Sequence, residues 1–279
     1  MKRVAHKWWI PPLLILPFLI ALPLWLAIVQ LELSVHNPAP SAKWYDDLVD
    51  MKTRIARGSP SPKLLMVGGS GTLFGIRAEK IQAELGKPTV NFGLFADISL
   101  PVILNLAYSV ARPGDLVVLA LEYRMFTYDR LHPQPSFRDY VLGSNRDVLS
   151  QLPYLDRLAV AAAIPPDTLR KSYRKKRAGI DPYPGNSNYS AATINKFGDE
   201  TSFHDTPAAR AQLESMTVPG VVERSLVTGF PEGNDAWDVL EDFLVKCRQA
   251  GIRVAATFPN LRDNASYRDR LPGAEQITA

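Results

Sequence analysis

One cysteine in 279 residues, Cys247, excludes an intramolecular disulfide and any cysteine-based zinc site. It lies in a helical pattern beside Leu244 and reads as a small core residue. Histidine is scarce as well: His6, His36, His132 and His204 are the only four. No His, Asp and Glu cluster has metal-ligand spacing, so neither a metal site nor a cofactor is expected. Internal repeats and low-complexity tracts are absent, which sets aside solenoids and propellers. The net charge of +4 is a mild basic excess that selects no partner by itself. With 46% hydrophobic and 22% charged residues the composition is globular, and the length suits one sizeable α/β domain with a small appendage.

No residue carries a charge from Trp8 to Gln30, "WWIPPLLILPFLIALPLWLAIVQ". A hydrocarbon core ~30 Å thick needs roughly 20 apolar residues, and this run is long enough. Pro11, Pro12, Pro17 and Pro23 bend or loosen the helix, as transmembrane helices tolerate. Lys2, Arg3 and Lys7 precede the run and Glu32 follows it, which predicts a cytoplasmic N-terminus. A cleaved signal peptide is the competing reading. The run exceeds an apolar region of about 7–15 residues, and "HNPAPSAKW" offers a poor cleavage site near Ala42. The expected organisation is a tail over 1–7, a transmembrane helix over 8–31, a stalk and short helix over 32–62, and an α/β domain over 63–279.

Apolar runs and helical periodicity alternate through that domain. Strands are expected at Leu64–Val67, Thr89–Phe92, Leu116–Leu121 and Ile252–Phe258. Helices are expected around Tyr45–Arg57, Arg77–Leu85, Ile98–Ala111 and Asp235–Gly251. About 123–231 the rhythm is lost to short helical pieces and loops. Strands separated by helices imply a mostly parallel sheet between two helical layers. In such sheets sites form at the carboxyl ends of strands, here after Val67, Phe92, Leu121 and Phe258.

The first of those loops is "GGSGTLFG". A dinucleotide fingerprint fits it poorly, because the glycines are spaced one residue too far and no acidic residue ends the second strand. A phosphate-binding P-loop fails because no Lys-Ser/Thr pair follows. Two readings remain. One is a tight corner in which glycine supplies backbone freedom. The other seats Ser70 at the sheet edge, with free N–H groups for an oxyanion.

"LLMVGGSGTLFGI", "VNFGLFAD" and "RPGDLVVLALEYRMF" together resemble the SGNH/GDSL-type hydrolase superfamily. More narrowly they resemble its membrane-anchored bacterial branch associated with cell-surface polysaccharides. "INKFGDE" and "FLVKCRQAGIRVAATFPN" look like that branch too, so the resemblance spans roughly Lys63 to Asn260. It implies a three-layer, flavodoxin-like α/β/α domain outside the cytoplasmic membrane, in the periplasm or beyond. It further implies ester hydrolysis or acyl transfer on an acylated envelope polysaccharide. Ser70 falls on the nucleophile position, and the Ser70 and Gly93 amides fall on the oxyanion donors. Gly69, Gly71, Asn91 and Glu122 would line the substrate. The family's third donor, an asparagine, has no clean counterpart, since Glu122-Tyr123-Arg124 stands after the third strand.

The family's Asp-x-x-His block follows a fifth strand. Here "NLRDNASYRDRLPGAEQITA" holds Asp263 and Asp269 and no histidine. His204, beside Asp205, is the stand-in base, with His132 behind it. Two accounts therefore stand: a truncated copy of an enzyme, or a non-catalytic relative that binds or assembles envelope glycans. "RKSYRKKR" puts six cations in eight residues, Arg170, Lys171, Arg174, Lys175, Lys176 and Arg177. It reads either as a solvated face or as contact with an anionic partner, a charged glycan or lipid headgroups. Nucleic acid is not expected, because base-stacking partners beyond Tyr173 are missing.

Overall fold

The computed structural model describes residues 16–17, 19–27, 42–143, 146–179, 190–202 and 235–257. The described chain is a mixed α/β fold around one parallel sheet. Helix α1 (Ala42–Gly58) leads to β1 (Leu64–Gly68), the short α2 (Ser70–Gly75), α3 (Ala78–Leu85) and β2 (Thr89–Gly93). Then come α4 (Leu100–Val110), β3 (Leu116–Ala120), α5 (Pro135–Gly143), α6 (Arg146–Gln151), α7 (Tyr154–Ala162) and α8 (Pro166–Ala178). Helix α9 (Asp235–Gln249) and β4 (Arg253–Ala256) follow. All four expected strands are present, and they lie parallel in the order β2-β1-β3-β4.

With this order, right-handed crossovers set the faces on which the helices lie. The step from β1 to β2 carries α2 and α3 over one face, and the reverse steps to β3 and β4 carry α4 and α9 over the other. Leu65, Val67, Val90, Phe92, Val117 and Leu119 fill the α4 and α9 face and belong to the buried core. Helix α4 packs on α9 there. Ala236, Leu240, Phe243 and Cys247 give α9 its buried stripe, while Leu244 stays partly exposed. Cys247 is the core residue its pattern implied, and burial pushes its thiol up to about 11.

At the amino ends of the strands, Lys63 and Asp115 form a fully buried pair at 2.6 Å. Asp115 also accepts the backbone N–H groups of Lys63 and Arg112. Burial pushes its carboxyl up. The Lys63 ammonium and these amides outweigh that and hold it below the ordinary range.

Helix α1 was expected only as a stalk appendage, yet it belongs to the core. Trp44, Tyr45, Leu48, Val49 and Ala56 are buried, with Tyr45 stacked on Phe95 at 4.9 Å. Lys52 sits inside that stripe and is fully buried. Its ammonium donates to Asn91 O (2.9 Å), Asn91 Oδ1 (3.3 Å) and Gly198 O. Phe197 O accepts the Asn91 N–H at 2.9 Å, so the outer edge of β2 is covered by α1 and by the "INKFGDE" turn. That turn also supplies Asp199, whose carboxylate accepts the Ala78 and Glu79 N–H groups and caps α3.

Between 135 and 178 the described chain is largely helical, in a region where short helical pieces between loops were expected. The basic run lies within α8. The expected helical piece at 207–216 lies outside the described residues. Among the described residues no helix is long and apolar enough to cross a membrane. The expected transmembrane helix at 8–31 is described only at 16–17 and 19–27, which are helical. Leu16, Leu19, Ile20, Leu22, Leu24 and Leu26 are exposed there.

Burial lowers the Lys52 pKa to about 7, against the opposing pull of Asp199 and Glu200. The unfolded chain then holds more protons than the folded one between about pH 7 and 10.5. Stability should climb across that window, by at most ~1.4 kcal/mol per pH unit. Urea denaturation at several pH values checks this, and Lys52→Met should flatten the rise.

Candidate active site

The glycine turn lies where the sequence placed it, at the carboxyl end of β1. Ser70 is the first residue of α2 and is half-buried. Among the described residues neither its hydroxyl nor its amide makes a hydrogen bond. The amides on either side are taken. Gly69 N–H donates to Glu122 Oε2 at 2.9 Å and Gly71 N–H to Glu122 Oε1 at 2.5 Å. The β1–β3 register sets up this grip by pairing Gly68 with Ala120, two residues before Glu122. Glu122 is thus a clamp on the turn, where the sequence suggested substrate contact. Burial raises its carboxyl pKa, against the pull of the Gly71 and Gly69 amides and Arg124.

Asn91 holds the other end of α2. Its Nδ2 donates to Thr72 O (3.1 Å), Leu73 O (3.4 Å) and Ile76 O (2.9 Å). Its Oδ1 accepts the Gly93 N–H at 2.8 Å. Two sequence expectations change here. Asn91 is fully buried and engaged, so its amide does not face a substrate. The Gly93 amide, expected as an oxyanion donor, is bound within the protein. Gly93 is needed for another reason: a Cβ there would enter the backbone of Thr72 and Leu73. Gly68 has a similar role, since a Cβ would strike the Thr72 side chain and Ala120 O.

His204 lies outside the described residues. His132 lies on the same sheet edge as the turn, lining a pocket of about 240 Å³ together with Ala96, Ser99, Leu100, Met125 and Phe137. Met125 links pocket and turn, because a Cβ on Gly69 would meet its Cε at 2.6 Å. His132 Nδ1 is 2.7 Å from Asp129 Oδ2, and both side chains are exposed. The bond from His132 holds the Asp129 carboxyl below its usual range. Sequence reasoning missed Ser99 altogether. Its φ of 89° is the one positive value for a non-glycine residue among those described, and no local motif announces it.

Among the described residues no group of three or more metal-ligating side chains occurs. Arg170, Lys171, Arg174 and Arg177 project from α8 exposed, and the side chains of Lys175 and Lys176 lie outside the described set. Comparison of the chain with family models, with curated proteins and with solved structures found no match.

The close approach of α2 to β2 makes Gly93→Ala a sharp test of this geometry. It should cost about 3 kcal/mol in chemical denaturation, because backbone and not a flexible side chain has to yield.

Proposed function

We propose that the chain is a membrane-anchored SGNH-like esterase or acyltransferase acting on an acylated envelope polysaccharide through Ser70. One observation carries the reading: among the described residues the Ser70 hydroxyl and amide, at the carboxyl end of β1, have no hydrogen-bond partner, while the flanking amides are fixed by Glu122. The strand order supports a flavodoxin-like three-layer domain, being the first four strands of the doubly wound order 2-1-3-4-5. In the reaction the Ser70 oxygen attacks the ester carbonyl, and the Ser70 N–H stabilises the oxyanion. The alkoxide leaves with a proton, and water or a sugar hydroxyl takes the acyl group. His204 is the sequence's candidate for the base that removes the Ser70 proton.

A second reading, a non-catalytic anchored protein that binds or assembles envelope glycans, has its own support. The Gly93 amide is bound to Asn91, and among the described residues no base bonds to Ser70. A fluorophosphonate probe separates the two. The first reading expects labelling of the full chain that Ser70→Ala abolishes; an unlabelled wild-type chain would leave the second.

Residues 8–31 form the anchor in this proposal, with the N-terminus in the cytoplasm and the main domain outside. The exposed leucines from Leu16 to Leu26 support a lipid seat. The cations of α8 would meet an anionic surface, lipid headgroup or charged glycan, rather than nucleic acid. A phosphatase reporter fused after Ala279 should be active, as it is only outside the cytoplasm. Activity of a cytoplasm-dependent reporter at the same position would overturn the orientation.

A further inference from the structure

We propose that the outer edge of β4, with the adjoining flank of α9, is a two-fold interface that takes a second copy of this chain. Strand β4 ends the sheet order, and its Arg253, Ala255 and Ala256 are exposed. The Arg253 N–H donates to Asp115 O at 3.0 Å and the Thr257 N–H to Leu119 O at 2.8 Å. By alternation, Val254 and Ala256 turn their N–H and C=O groups away from β3. The opposite edge, β2, is covered by α1 and the "INKFGDE" turn. Among the described residues no strand pairs with the outer side of β4.

Helix and strand share a groove along this edge. Leu244 and Arg248 of α9, with Ile252, Arg253 and Val254, line about 590 Å³ of space there. Leu244 and the neighbouring Val245 are exposed. Glu241, Leu244 and Arg248 stand three and four residues apart, so they form one row on the helix surface. Neither Glu241 nor Arg248 has an ion-pair partner among the described residues.

The order of that row names the occupant. It reads acid, apolar, base, and reversed it is its own complement. A copy of α9 laid antiparallel sets Glu241 against the copy's Arg248, Arg248 against the copy's Glu241, and Leu244 on Leu244. Such self-complementarity is the property of an isologous, two-fold contact. The strand agrees on the position of the axis. Measured from the turn that joins α9 to β4, the middle of the row lies about five residues back from Gln249, or ~7 Å. Ala255 lies two residues on from Arg253, also ~7 Å. One axis normal to the sheet therefore passes both Leu244 and Ala255. About it, Val254 exchanges backbone hydrogen bonds with the copy's Ala256, and Arg253 falls opposite Thr257 rather than another arginine. The two four-stranded sheets become one of eight strands.

The experiment is sedimentation equilibrium of the full chain in density-matched detergent. The wild type should be a dimer. Leu244→Cys and Ala255→Cys should each form a disulfide between copies under mild oxidation, as residues beside a two-fold axis can. The native thiol, Cys247, is buried, so the wild type is the uncrosslinked control. Glu241→Arg and Arg248→Glu should each weaken the dimer about tenfold. Mixing these two variants should restore it as a heterodimer, because every contact is then between opposite charges. Damage to the fold would not be cured by mixing. A monomeric wild type overturns the proposal, and slow hydrogen exchange at Val254 and Ala256 in that monomer would mean that the edge is filled from within the chain. A dimer indifferent to both charge reversals, or one that forms neither cross-link, overturns it as well. Should a charge variant fail to fold, the two cysteine variants decide.

Discussion

The side-chain amide of Asn91 is the junction on which the site depends. It is fully buried, in the middle of the edge strand β2, and its polar groups are used in two directions. Toward the site it ties three carbonyls at the end of α2 and the Gly93 N–H. Away from the site, its Oδ1 and backbone carbonyl accept the Lys52 ammonium, and its N–H donates to Phe197 O. A buried amide left half-satisfied costs more than its bonds return, so these contacts hold together or fail together. Ser70 is placed through this arrangement at one end of α2 and through Glu122 at the other.

That clamping gives the turn its present balance. Glu122 draws the Gly69 and Gly71 amides toward β3, and the Ser70 amide between them has no partner among the described residues. A carboxylate held by two backbone donors neutralises part of the positive field at the start of α2. The turn is therefore rigid, and its electrostatic pull on an incoming anion is reduced. In the proposed reaction such rigidity would favour a positioned Ser70 hydroxyl, while the reduced field would ask more of the base and of the Ser70 amide.

The central strands β1 and β3 were legible because they are continuous apolar runs beside glycine or proline, as "LVVLAL" after "RPGD" illustrates. The α9 stripe was readable from its helical periodicity. What escaped was polar chemistry working at long range. Lys52 breaks an apolar stripe, and nothing local says that three acceptors from distant segments surround it. Asp199 caps a helix 121 residues earlier in the chain. Gly93 looked like a free amide because the sequence hides the side chain, two residues before it, that takes the bond. Ser99 sits in an ordinary stretch, and only backbone geometry exposes its strain. Periodicity reports which face is buried; it is silent on which buried polar atoms find each other.

The "INKFGDE" turn has a consequence for how the molecule is made. Synthesis proceeds from the N-terminus, so α1, α3 and β2 leave the ribosome well before Asn195–Glu200 follows. Until then the α3 amides lack their cap, the Asn91 N–H lacks its acceptor, and Lys52 lacks the Gly198 carbonyl. The nascent chain carries an unfinished sheet edge through more than a hundred residues of elongation, the interval in which an open strand pairs with the wrong neighbour. The short "INKFGDE" turn is what closes that interval.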